Sequence, residues 1–439
     1  MNKITTTAGL IAIGAVSAHA AVYAPPAGSQ QATKPWSISA TLRGFYDDNY
    51  STSPRQIRRD SWGFEVSPSG SLNLIRDQTA LGLSYVYSLR WYEDRDRRDL
   101  SATDQAHQVN AKISHAFTPR YKIDVSDSFV VAQEPQLIHA DPGAPLTTFL
   151  RSEGDNLRNT VIGSFSIGIT EQTTVVLGYS NQYYDYEEEG LNSRSAFLDR
   201  VEHLGSINLR QVLLPRTVGV VGYQYEVVDY NSPDFLGNPL IPNGAYRADE
   251  RDSTSHYFYV GVDQGLTPTL NASLRVGAQY MSYDFSNHPA LANLEEDRWS
   301  PYVDANATWL YLQGSYAQLG VRHQRAQTDV GFVPGPGGFV PNLDAESTTV
   351  YASVNHRIWG AFVASLIGQY QHSTYETDIA PDFSDDYFMA GVNLTYEINK
   401  FLAAELGYNY DRLDSELTGA GQPRSFTRNR VYVGIRGTY

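Results

Sequence analysis

Charged residues recur at alternate positions along this chain, and their types bound the chemistry open to it. Counting every second residue, one face collects Arg43, Arg90, Lys112, Lys122, Arg210, Arg275, Arg322, Arg357, Arg430 and Arg436. The same face collects Glu65, Asp124, Glu202, Glu226, Asp263, Asp304, Glu397, Glu405 and Asp411. Ten bases against nine acids make a nearly neutral polar surface, so strong ion selectivity is not expected. Side chains placed this way can pair across neighbouring strands, hold water against a wall and set the field a passing solute meets. Enzymatic arrangements are absent: there is no phosphate loop, zinc spacing or dinucleotide fingerprint. His115 and His203 have Ser114 and Ser206 beside them, but alternation turns those serines to the other face. The expectation is a non-enzymatic protein with no catalytic residue, cofactor or metal. The acidic groups Glu187–Glu189 and Asp382, Asp385, Asp386 have oxygens for a calcium ion, though solvated loop charge is the simpler reading.

The elements that carry these residues are strands. Segments such as "TALGLSYVYSLRWY" (79–92), "TVGVVGYQYEVVDY" (217–230), "TLNASLRVGAQYMSY" (269–283) and "FLAAELGYNYDRL" (401–413) alternate apolar and polar residues. They run for about 10–14 residues, the length of a tilted membrane strand. Their connections alternate in kind. Tight ones fall at 76–78, 118–120, 171–173, 214–216, 267–269, near 310–312, at Gly360 and at 399–400. Long polar ones lie near 48–60, 93–104, 134–155, 187–198, 231–252, 284–298, 329–345, 376–385 and 414–425. The count comes to about 18 strands, with both termini on the tight-turn side. The fold expected is an all-β transmembrane antiparallel up-and-down barrel with short periplasmic turns and long extracellular loops.

The choice of face follows from energy. Large apolar and aromatic residues (Tyr85, Tyr87, Trp91, Tyr223, Tyr225, Trp309, Tyr311, Tyr408, Tyr410) lie opposite the charges. Rings with a polar tip suit the two membrane–water girdles. A Lys or Arg facing lipid costs roughly 2–4 kcal/mol at the midplane, so the charged face must be the interior one. Asp127, His115, His203 and His356 remain on the apolar face; strand ends or register-shifting bulges would account for them. Interior aromatics such as Phe45, Tyr92, Tyr184, Tyr316, Tyr351 and Tyr432 could stack on sugar rings, with packing against the rim as the plainer reading. The loop at 134–155 has an apolar middle and could fold inward, Phe149 packing on the wall while Arg151 and Glu153 face a constriction. The loop at 231–252 competes for that role.

The ends of the sequence carry their own signals. Lys3, the apolar run at 8–16 and Ala18-His19-Ala20 read as a signal peptide over residues 1–20. Residues 21–35 read as a flexible periplasmic segment, and 36–439 as the barrel. The net charge of −15 argues against a nucleic-acid partner, and the absence of cysteine rules out disulfides. The last residues, "YVGIRGTY", put Val431, Val433, Ile435 and Tyr439 on one face. A terminal aromatic after an alternating strand resembles the sorting signal of outer-membrane proteins, read by the barrel-assembly machinery, which makes Tyr439 the assembly signal.

The stretches "SWGFEVSPSGSLNLIRDQTALGLSYVYSLRWYEDRD" (61–96) and "YKIDVSDSFVVAQEPQL" (121–137) resemble the opening of the β-barrel porin 2 type of bacterial outer-membrane protein. The likeness spreads loosely over 36–439 and brings no catalytic residues. It implies an outer-membrane channel, monomeric or trimeric, set in lipid and lipopolysaccharide and passing small hydrophilic solutes by diffusion. The alternatives are an exit channel for an exopolysaccharide, since members often accompany such systems, and a plugged structural or adhesive barrel.

Overall fold

The computed structural model describes residues 35–98, 101–132, 155–240, 244–285, 288–292, 294–335, 338–377, 379–417 and 424–439. The expected signal peptide (1–20), most of the segment after it, and Phe149, Arg151 and Glu153 lie outside the described residues. Twenty-two strands follow in chain order: β1 (Trp36–Asp47), β2 (Ser61–Arg76), β3 (Thr79–Tyr92), β4 (Thr103–Thr118), β5 (Tyr121–Ala132), β6 (Asn156–Gly168), β7 (Thr173–Tyr186), β8 (Arg200–Leu214), β9 (Thr217–Tyr230), β10 (Phe235–Gly237), β11 (Ala245–Arg247), β12 (Ser253–Gly265), β13 (Leu270–Tyr283), β14 (Asp297–Leu312), β15 (Ser315–Gln327), β16 (Phe332–Gly335), β17 (Gly338–Pro341), β18 (Asp344–Trp359), β19 (Phe362–Tyr375), β20 (Phe383–Asn399), β21 (Leu402–Ser415) and β22 (Phe426–Thr438). The ribbons β10–β11 and β16–β17 belong to long connections. The other eighteen strands form one antiparallel sheet.

That sheet closes on itself. β22 pairs with β1 from Ser39 opposite Thr438 to Asp47 opposite Arg430, so each of the eighteen strands has two neighbours. Tyr439 is tied into the seam: its N–H donates to the Ile38 carbonyl at 2.8 Å, and its ring lies 5.8 Å from Trp36 and 6.3 Å from Phe401. The tight turns sit at one end of the barrel and the long connections at the other. The turn expected near 310–312 falls instead at Gln313-Gly314, because β14 continues to Leu312. Gly314 and Gly360 take positive φ (75° and 37°) in their turns, which glycine adopts without a Cβ clash.

The alternation sorts the two faces as expected. Along β1, Ile38 and Leu42 are exposed on the exterior, while Ser37 and Ser39 hydrogen-bond Ser71 and Ser69 of β2 on the interior, at 2.7 and 2.6 Å. Val431, Val433 and Ile435 of β22 are likewise exposed outside. A continuous exterior of exposed Leu, Ile, Val and aromatic side chains needs an apolar surrounding. Among the described residues no helix is long and apolar enough to cross a membrane; the strands do the crossing.

His115 and His356 lie near strand ends beside register shifts, as expected, but no bulge accounts for Asp127 or His203. The β4–β5 register runs unbroken past Asp127, which stands opposite Ala111, and the β7–β8 register runs unbroken past His203. All four are paired in the plane of the wall. Asn159 donates to Asp127 at 2.7 Å. His203 meets the Tyr179 hydroxyl at 2.8 Å, His356 meets Tyr311 at 3.0 Å and His115 meets Thr79 at 2.8 Å.

Candidate functional site

The interior charges assemble into belts that cross strands. One belt spans the closure seam. Glu65 of β2 receives Arg90 of β3 at 2.8 Å and Arg43 of β1 at 3.3 Å. Arg43 also reaches Glu405 of β21 at 2.7 Å, and Glu405 takes Arg436 of β22 at 3.0 Å. Arg43 can cross β22 only because Gly434 stands between: a Cβ there would lie 2.6 Å from Arg43 Cγ. The five residues alternate in sign, with three bases and two acids. A second belt lies in the opposite wall. Asp263 of β12 bridges Arg210 of β8 and Arg275 of β13, each at 2.6 Å. Asp304 of β14, opposite Arg275 in register, binds Arg322 of β15 at 2.7 Å.

The other residues expected on the interior also find partners nearby. Lys122 pairs with Asp124 at 2.8 Å, Arg200 with Glu202 at 2.7 Å and Arg357 with Glu397 at 3.2 Å. The Tyr257 hydroxyl donates to Glu226 at 2.6 Å. Lys112 stands between Gly82 and Ser126 in register and makes no ion pair with another described residue. The structure adds two partners beyond the expected set: Asp47 pairs with Arg430 and Arg428 with Asp411, both at 2.7 Å.

Equal numbers do not mean equal presentation. In the seam belt the carboxylates lie against the wall, with side-chain exposures of 12% for Glu65 and 0% for Glu405. The guanidiniums of Arg90, Arg43 and Arg436 keep 28%, 27% and 17%. Within this belt the bases are therefore more exposed than the acids.

Several interior aromatics fold flat onto the wall. Tyr432 and Tyr351 cover Gly407 and Gly320, which face them in register; a Cβ at either glycine would fall about 2 Å from the ring. Phe45 covers Gly63 in the same way. Their faces are spent on packing, which favours the plainer reading over sugar stacking for these three.

The long-loop end is packed. Ala196, Leu236, Tyr246, Leu291, Val333 and Leu417 come from different connections and share one buried apolar cluster. The loop at 231–252, the competitor for the inward role, is one contributor among several, through Leu236 and Tyr246. Arg251, 1% exposed, donates to the carbonyls of Phe197, Thr328 and Leu343. Arg424 joins Asp329 at 3.1 Å and Asp385 at 3.3 Å. The acidic groups considered for calcium are dispersed: Glu188 pairs with Arg194 and Asp386 accepts from Tyr370 and His372. Two loop carboxyls cap strand ends: Asp199 accepts from the Tyr186 N–H at 2.7 Å and Asp252 from the Tyr230 N–H at 2.6 Å. Burial pushes both up to about 6.

Sequence parity missed Arg251, Arg325 and Arg424. Two lie in loops, where alternation has no meaning. Arg325 lies on the wrong face for an interior residue, for a reason given below.

An 18-strand closed barrel with an apolar exterior and a charged interior defines an outer-membrane β-barrel of the porin class. Residues 242–439 match the family Putative beta-barrel porin 2. The match falls on the C-terminal part of the chain rather than on the early stretches that suggested the family. No curated protein matches the chain. Among solved structures, the outer membrane protein opdK from Pseudomonas aeruginosa aligns with TM-score 0.43 at 10% identity, covering 92% of this chain and 99% of its own. A BenF-like porin from Pseudomonas fluorescens Pf-5 gives 0.44 at 10%, with 92% and 99% covered. The FrpB iron transporter from Neisseria meningitidis gives 0.45 at 9%, with 94% and 83% covered. Likeness at this level is shared by barrels of different cargo and says nothing of what this one carries.

Proposed function

We propose that this barrel passes small hydrophilic solutes by diffusion, anions before cations, with its long loops outside the cell and both termini in the periplasm. The observation that supports it is the seam belt, whose carboxylates lie against the wall while three arginines face the interior. A fixed cationic surface in a narrow hydrated passage lowers the entry cost of an anion and raises that of a cation. Diffusion is preferred to polysaccharide export because an exporter needs a periplasmic docking surface. The connections at the tight-turn end are two to four residues long and offer little of one.

The test is conductance of the refolded protein in a planar bilayer under a potassium chloride gradient. The expected result is a nanosiemens-scale conductance whose reversal potential favours chloride. Arg43→Gln, Arg90→Gln and Arg436→Gln together should move that potential towards potassium. Cation selectivity in the parent protein would refute the anion preference, and silence from folded protein would refute the channel. Block by an added sugar or aromatic carboxylate would then identify the solute.

A further inference from the structure

The hairpin of β15 and β18 leaves the wall in its long-loop half. β14 keeps β13 as partner up to Asp297, opposite Ser282. β15 keeps β18 up to Gln327, opposite Asp344. Between β14 and β15, however, pairing stops at Val303 opposite His323. Pro301 lies just past the break; it has no N–H to give a neighbour, and proline in a sheet belongs at an edge. On the far side, β18 pairs with β19 only from Glu346, opposite Thr374.

Beyond the break the hairpin lies inside the barrel. Gln279, on the interior face of β13, grips the main chain of Arg325, donating to its carbonyl and accepting from its N–H, both at 2.9 Å. Gln327 donates to Ser253, on the interior face of β12, at 3.2 Å. This accounts for charges of the wrong parity. Arg325, Asp344 and Glu346 share the face that is exterior lower on the same strands, yet here that face turns towards β13. Arg325 meets Asp344 at 2.6 Å and Glu346 at 2.9 Å, and Tyr283 of β13 donates to Asp344. The legs then carry Val330, Val333 and Val340 into the apolar cluster of the loops. Arg251 holds the two legs together from outside them, at the carbonyls of Thr328 (3.3 Å) and Leu343 (3.4 Å), and ties them to Phe197 (2.8 Å).

We propose that residues 324–335 and 338–345 form a hinged flap controlling access to the interior from the long-loop end. Its hinge is the point where β14 releases β15, and its latch is Arg251. Swinging this flap breaks no backbone ladder to β14 or β19. What the flap admits rests on the channel reading above; its motion does not.

The chain has no cysteine, so a single introduced thiol is a clean reporter. Met281→Cys places it beneath the flap, at a side chain 1% exposed. Its reaction with a hydrophilic maleimide in refolded protein measures opening whether or not the barrel conducts. Adding Arg251→Ala should speed that reaction about tenfold, as loss of a charged hydrogen-bond donor implies. An unchanged rate in variant of native gel mobility overturns the flap. Should Arg251→Ala not fold, Ser253→Cys with Gln327→Cys supplies a second arm. A reversible methanethiosulfonate bridge between them should abolish switching of the current, and reductant should restore it. Identical current in bridged and reduced protein overturns the gate. Faster labelling without any current supports the flap and sinks the channel reading instead.

Discussion

Glu405 shows how much one interior residue holds. It is the shared counter-charge of Arg43 and Arg436, with its side chain wholly covered. Glu405→Gln leaves two guanidiniums short of their counter-charge, and removing one partner of a buried pair costs about 3–5 kcal/mol. The urea midpoint of the variant in lipid vesicles should fall accordingly; an unchanged midpoint would show that water screens the belt. Asp199 and Asp252 make a prediction of opposite kind. Burial raises both from 3.8 to about 6, so between those values the folded protein holds protons the unfolded chain releases. Their stabilisation is complete below 3.8 and is lost as pH rises through about 6. Stability of the long-loop end should therefore decline from about pH 4 to about pH 6.5, and Asp199→Asn with Asp252→Asn should flatten that decline. A midpoint that rises over this range by the same amount in both proteins would contradict it.

At the scale of elements, the strands were legible because a wall with lipid on one side and water on the other imposes a period of two on every crossing segment. Seventeen connections and the final seam followed from where that period lapses. The seam also depends on a residue without a side chain. Gly434→Ala would push a methyl into Arg43 Cγ and the Leu42 carbonyl, each 2.6 Å away, at a cost of roughly 1–3 kcal/mol. Slower folding of this variant, read by heat-modified gel mobility, is the expected result; wild-type kinetics would mean that Arg43 simply swings aside. The flap strand was not legible. Parity assumes one wall with two media, and β15 beyond His323 has protein on the face that should meet lipid.

For the whole molecule, closure is the event that assembles the belt, since Arg43 and Glu405 are brought together only when β22 docks on β1. Tyr439 secures the same junction by its main chain and by its ring against Trp36 and Phe401. Tyr439→Ala should lower the yield of folded barrel in cells while leaving the conductance of purified folded protein unchanged. An equal yield would remove its role as an assembly signal. By itself the amino-acid sequence determined a strand number of about 18 and the assignment of faces along most strands, because each follows from local alternation and the cost of charge in lipid. Only the tertiary structure decided which charges pair, which of them stay exposed on the interior, and that several loops share one buried apolar cluster. Those depend on residues hundreds of positions apart, such as Arg43 and Glu405, and on one hairpin leaving the wall, and neither leaves a periodic trace in the chain.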